Sequence, residues 1–342
     1  MILPWITASV ILVALVVYAI LGGADFGGGL WDLLASGPRA RRQRELITEA
    51  IAPVWEANHV WLIVVIVLLF TCFPLAFSVI SISLHVPLAL MLLGIVMRAA
   101  AFVFRHYDVA APDPVQRTWG QLFAWSSIIT PFFLGTAIGA VSLGSIRVED
   151  EVVLTGYFGP WFRPFPVTVG VFTLVLFAFL AAVYLTKETR DPELQEDFRD
   201  RGLMAQLWVV VLAILAAFAN RADAAHVQLF RGVWPWIFVV LGLVLAAAVS
   251  FALYRRRYTW ARVLAASEVA TIVIGWGAAM VPYMIAPDVT IEEAAAPPHV
   301  HLLILTVLFV GAFTLVPSLV WLYRIFKREP IFEELEQERE RV

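Results

Sequence analysis

Stretches of apolar residues about as long as a bilayer is thick recur from one end of this chain to the other. A spanning helix needs about 20 mainly apolar residues. Nine runs meet that length: Pro4–Gly22, Pro53–Phe73, Phe77–Phe104, Trp119–Leu143, Pro164–Thr186, Met204–Asn220, Trp234–Tyr254, Thr259–Ile285 and Val300–Phe326. In lipid every backbone N–H and C=O must be satisfied within the protein, so runs of this kind cross as helices. Hydrophobic residues are 61% of the chain and charged residues 15%, against about 45–50% and 25% in soluble domains. A soluble globule could not cover its outside with so few polar groups. A net charge of −3 is too small to imply a nucleic acid or other polyanion as partner. The reading is an all-α polytopic membrane protein, with residues 1–342 as a single integral membrane domain.

The loop charges give an orientation. Alternation collects Arg39, Arg41, Arg42 and Arg44, then Arg105 and Arg117, Lys187, Arg190, Arg199 and Arg201, Arg255, Arg256, Arg257 and Arg262, and the basic residues of the tail on one side, 19 of the 24 Lys and Arg. Cytoplasmic loops retain such residues, so the N-terminus is expected outside and the C-terminus in the cytoplasm, which requires an odd number of spans. The first run is not read as a cleaved signal, because no basic residue precedes it and Asp25 with a glycine-rich stretch follows. Trp and Tyr near the span ends form an interfacial belt. A single cysteine, Cys72, excludes an internal disulfide framework.

Six ionisable residues fall where lipid is expected: Asp25, Glu56, His59, His85, Arg98 and Glu268. Charge there costs about 2.5–3.5 kcal/mol per residue on insertion scales, so such groups face a protein interior or a water path. In the orientation above, all but His85 lie in the cytoplasmic half. Glu56 and His59, three positions apart, are expected on one helix face, where a carboxylate and an imidazole can exchange a proton. Glu268 would extend that path and Arg98 would stand beside a carboxylate. The set reads as a proton route open to the cytoplasm. Plainer readings stand beside it: Asp25 capping a glycine turn, Arg98 snorkelling or fixing a helix pair, and His85 as a hydrogen-bonded core residue. His299 and His301, two apart, point away from each other on a helix and are expected to be structural. His106 and His226 are expected in loops. The run Gly22–Gly29 lacks the Lys-Ser/Thr of a phosphate loop and is expected to give a close backbone approach and a sharp exit from the first helix.

Two motifs carry a resemblance. Gly22-Gly23-Ala24-Asp25-Phe26-Gly27-Gly28-Gly29-Leu30 follows the first span, and Ile51-Ala52-Pro53-Val54-Trp55-Glu56-Ala57-Asn58-His59-Val60-Trp61-Leu62 opens the second. With Met97–Arg105 at the third-helix end, Pro282 and the basic C-terminus, they resemble subunit II of the cytochrome bd-type quinol oxidases, whose pattern here is G-x-D-x-G-x-G and then I-A-P-x-W-[DE]-x-N-x-V-W-L. Glu56 stands where many members have Asp, His59 takes a commonly uncharged position, and Asp288–Pro298 is unlike the Ser/Thr/Asn-rich loop of the family. These departures point toward the cyanide-insensitive branch.

The resemblance implies a bacterial inner-membrane heterodimer that oxidises quinol and reduces dioxygen to water, generating a proton-motive force. Haems b and d belong to the partner, subunit I, where quinol also acts. No cofactor is assigned to this chain, though the family leaves room for a bound quinone or lipid, surrounding membrane lipids and a small accessory single-helix subunit. Two four-helix bundles plus one peripheral helix are expected. Asp25 and Glu56 fall on the family's acidic positions and, with His59 and Glu268, form the expected proton pathway. Asn58, Trp61 and Arg98 support it. From the residues alone, a proton-coupled secondary transporter and an inert scaffold compete with this reading.

Overall fold

The computed structural model describes residues 2–51, 55–107, 113–223 and 234–326. Among them, eight helices are long and apolar enough to cross a membrane, or nine if the short α2 and α3 form one bent span. The helices are α1 (Ile2–Leu34), α2 (Ala40–Ile51), α3 (Trp55–Cys72), α4 (Pro74–Ser83), α5 (His85–Tyr107), α6 (Asp113–Leu143), α7 (Pro164–Glu188), α8 (Pro192–Asp223), α9 (Trp234–Tyr254), α10 (Tyr258–Met280) and α11 (Pro298–Phe326). Two small antiparallel hairpins complete the chain, β1 (Val148–Glu149) with β2 (Val152–Val153) and β3 (Tyr283–Ile285) with β4 (Val289–Thr290).

Helices α1, α3, α5 and α6 form one bundle and α7–α10 a second. They meet where α7 packs on α1 and α6, and α10 on α1. Helix α11 lies outside both, against α1 and α3, and none of its apolar stretch is buried. Two bundles and a peripheral helix are thus observed, as expected.

Several element ends differ from expectation. Helix α1 does not stop at Gly22; the glycine run stays helical to Leu34. Each helical glycine costs up to about 1 kcal/mol relative to alanine, and here close packing offsets it. A Cβ on Gly23 would lie 2.6 Å from the Phe177 ring, one on Gly27 would overlap the Phe177 carbonyl, and one on Gly29 would overlap Ser127. Small residues let helix backbones approach in the membrane, so the close approach is there and the exit is not.

The expected third span breaks into α4 and α5. Pro87 has no N–H for the Ser83 carbonyl and its ring clashes there, so the helix ends at Ser83 and restarts at His85. His106 therefore falls within α5 rather than in a loop, and His226 lies outside the described residues. Helix α8 begins more than three turns before Met204, with a charged segment ahead of its apolar part. Helix α10 ends at Met280, because Pro282 cannot extend it, and Tyr283–Ile285 enters a hairpin.

The two ends are held differently. At one end α2 buries Gln43, Leu46, Ile47 and Ile51 and is tied to α8 by Arg39 on Asp197 (2.6 and 2.9 Å) and by Gln43 on Asp197 (2.7 Å). Arg42 pairs with Asp191, Arg256 with Glu196 (2.6 Å) and Arg262 with Glu188 (2.9 Å). At the other end the Ala286 and Ala296 N–H groups donate to the Val141 and Cys72 carbonyls, and Arg147 pairs with Asp288 (2.8 Å). Trp61 packs against the apolar clusters of both ends.

Gly27→Val is expected to destabilise the protein by about 3 kcal/mol, the upper range for over-packing. Gly242→Val on α9, where nothing lies within 4 Å of an added Cβ, should leave it unchanged. Thermal melting of both purified variants checks this.

Candidate functional site

Four helices of the first bundle bring polar side chains to one buried point. Because α1 continues through its glycines, Asp25 sits mid-helix and is buried, with 6% of its surface exposed. Asn58 of α3 donates from Nδ2 to Asp25 Oδ2 at 2.5 Å. Arg98 of α5, only 2% exposed, donates to the Asp25 carbonyl at 2.9 Å and to Ser127 Oγ of α6 at 3.0 Å. Its guanidinium lies over the rings of Phe26 (4.6 Å) and Phe123 (5.0 Å). Asp25 is therefore not a cap, and Arg98 does not snorkel. An arginine this deep is tolerated because an acid, a carbonyl, a hydroxyl and two ring faces replace its water.

A second pair repeats the first two turns along. Arg105 grips Asp32 with both nitrogens, at 3.1 and 3.2 Å. Asp25 to Asp32 and Arg98 to Arg105 are both heptad steps, so α1 and α5 run parallel here and present two matched rungs. Sequence reasoning missed Asp32 because it placed a turn before it. It also missed Ser127, whose hydroxyl looks like ordinary helix back-bonding to Phe123 O (2.7 Å) until Arg98 is placed beside it.

The remaining predicted residues are distributed around this point. His59 is half-buried, its ring between Tyr18 (6.0 Å) and Phe26 (5.7 Å). Glu56 is exposed in the first turn of α3, a position that the helix dipole favours for an acid. It therefore does not share the covered side of α3 with His59. His85 is exposed, not in the core; it bonds the Ile82 carbonyl (2.9 Å) and meets the Tyr157 ring edge-on. Glu268 lies in the second bundle, 2% exposed, accepting from Gln206 Nε2 at 2.8 Å. His299 is exposed and His301 buried, pointing apart as expected; His301 Nδ1 meets Thr7 Oγ1 at 2.9 Å.

A cavity of about 290 Å³ opens beside the cluster, between α1, α2, α7 and α10, with Asp25 and Asn58 in its wall.

A family model for cytochrome bd terminal oxidase subunit II matches residues 3–326. The chain belongs to this family. A putative cytochrome bd menaquinol oxidase subunit II of Bacillus subtilis is 22% identical over 95% of each chain. Subunit 2 of the Escherichia coli K12 cytochrome bd-I ubiquinol oxidase is 24% identical, covering 85% of this chain and 83% of its own. In fold, the bd oxidase from Geobacillus thermodenitrificans superposes with a TM-score of 0.80 at 21% identity, over 96% of this chain and all of its own. This chain is accordingly one subunit of a membrane-embedded terminal oxidase, and the transporter reading gives way to it.

The family implies haem. The cavity wall carries no imidazole, thiol or thioether, the usual ligands of haem iron. The buried His301 is bonded to Thr7 and packed edge-on against Phe73 (5.4 Å). Neither place offers the ligand set usual for a haem. Among the described residues no group of three His, Cys, Asp or Glu is placed to hold a metal ion.

Arg98→Met should destabilise the protein by about 3–5 kcal/mol, the cost of stranding a buried charge. Adding Asp25→Asn to it should recover most of that loss. Denaturation of the single and double variants, in the same detergent, tests the coupling.

Proposed function

We propose that this chain is the scaffolding and proton-delivering subunit of a quinol:oxygen oxidoreductase, assembled with a haem-bearing subunit I in a bacterial inner membrane. Residues 1–342 form a single integral domain with the N-terminus outside. The shared location of the arginine-rich segments at one end supports that orientation.

One observation carries the reading: a buried carboxylate, Asp25, is held by an amide and set beside a guanidinium in an otherwise apolar bundle. Reducing dioxygen to water consumes a proton for every electron, and the partner's haems supply the electron chemistry. This chain's residues then do three things. Asn58 fixes the carboxylate rotamer, Arg98 balances its charge when the proton has left, and Phe26 and Phe123 keep bulk water out. His59 and Glu56, on α3, lead from Asp25 toward the chain's surface and so toward the partner. Trp61 holds α3 in place between the two apolar clusters. Glu268, paired with Gln206 in the second bundle, is an outlying member of the pathway. Apolar faces such as those of α9 and α11 suit lipid, a quinone tail or a single-helix accessory subunit.

Asp25→Asn, assembled normally, is expected to slow oxygen consumption and proton uptake together by about tenfold or more. Glu56→Gln should act in the same direction and less strongly. Oxygen-electrode and pH-indicator traces on reconstituted enzyme decide it; full rates for both variants would remove the relay.

A further inference from the structure

The relay reading leaves Asp25 and Asn58 with 6% and 2% of their surface exposed, so it needs a path by which protons arrive. The cavity beside them supplies the geometry. Its inner wall is Asp25 and Asn58; its sides are Ala24 and Gly28 of α1, Ala50 of α2 and Ala181 of α7; and Tyr184, Glu188 and Arg262 also line it. Glu188 and Arg262 are paired at 2.9 Å and are 25% and 27% exposed, so this end meets solvent while the other is sealed. Arg262 also lies 4.7 Å from the Tyr184 ring, which fixes its guanidinium to one side.

Size and chemistry agree on the occupant. A volume of 290 Å³ is well above the roughly 10–15 Å³ that one water needs, so it holds several. A purely apolar void of that size stays dry, but buried water persists where polar groups offer it partners. Here such groups stand at both ends, and the small side chains between them leave the passage open. Glu56 is absent from the wall, so an entry along the outer side of α3 is a different path. Helix α2 covers the cavity with Ile47, Ala50 and Ile51 and is pinned by Arg39, Arg42 and Gln43 to the chain around Asp191–Asp197.

We infer that water in this cavity conducts protons from the arginine-rich end to Asp25, and that the Glu188–Arg262 pair is the positioning element at its mouth. The inference rests on the relay reading of Asp25. The pairing of Glu188 keeps Arg262 from swinging across the opening, and protons enter the water chain there from solvent. No bond other than O–H is made or broken as they pass along the waters.

The test uses the assembled oxidase in vesicles with the arginine-rich face outward. Ala50→Cys and Ala181→Cys are treated with a membrane-impermeant cationic methanethiosulfonate. Val240→Cys, on the exposed apolar side of α9, is the control, and native Cys72 is fully buried. Both cavity cysteines should react and the control should not, with proton uptake and oxygen consumption falling about tenfold after labelling. Glu188→Gln should slow proton uptake, and Glu188→Asp should restore most of it. Unreactive cavity cysteines, or full turnover after labelling or in Glu188→Gln, would overturn the inlet. Asp25→Asn separates the two levels. If it slows the enzyme while the cavity variants do not, the inlet is wrong and the relay stands. If Asp25→Asn is as fast as wild type, the relay fails and the inlet with it.

Discussion

At Gly23 and Gly27 the backbone of α1 comes against Phe177 of α7 with no side chain between them. That approach joins the two bundles. Lipid tails are as apolar as leucine, so helices in a membrane associate by fit more than by exclusion of water. The glycines weaken α1 as an isolated helix, yet the contacts they permit keep it helical to Leu34. The consequence for chemistry is direct. Only a continuous α1 sets Asp25 and Asp32 two turns apart on one side, where Arg98 and Arg105 of α5 meet them.

Those two rungs differ in setting. Asp32–Arg105 lies near the arginine-rich end, bidentate and partly exposed on the arginine side. Its charge is shared with water, and its effect is to hold α1 and α5 in register. Asp25–Arg98 is enclosed. There the attraction between charges competes with a desolvation penalty of several kcal/mol per ion, which is met only because Asn58, Ser127 and two aromatic faces complete the coordination. The second bundle solves the same problem without a cation: Glu268 is held by Gln206, an amide–carboxyl contact. One bundle thus sets its acid beside a guanidinium that bonds the acid's own backbone carbonyl, and the other holds its acid with an amide.

How much of this was legible before the coordinates follows from what each signal depends on. Hydrophobic runs report burial along one helix, so nearly every span was visible, with ends misplaced where a helix outlasts the bilayer, as in α8 with its charged start. The glycine run was misread because glycine's cost to a helix is local while its compensation, Phe177, lies some 150 residues on. The α4–α5 break was readable in principle from Pro87, but an unbroken apolar pattern hid it. Helix α2 was overlooked because its arginines dominate; its buried positions, Gln43, Leu46, Ile47 and Ile51, do follow a helical stripe. At the site, Asp25, Asn58 and Arg98 were singled out as residues, but their meeting was not, since no local pattern records which helices adjoin. Ser127 and Glu188 were invisible for the same reason.

The choice of arginine at position 98 follows from the same enclosure. A lysine ammonium is a compact point charge that keeps its water strongly, whereas a guanidinium is planar, more weakly hydrated and offers donors in several fixed directions. Arg98 uses this shape. Nε reaches Ser127 on α6, a terminal nitrogen reaches the Asp25 carbonyl on α1, and the flat faces take Phe26 and Phe123. Three helices are thereby gathered by one side chain. The contact to α1 is made to a backbone carbonyl, so it persists whether or not the neighbouring carboxyl carries a proton. The proposed relay would need such a partner: one anchored by groups that do not titrate, so that a proton arriving at or leaving Asp25 would leave the surrounding helices where they were.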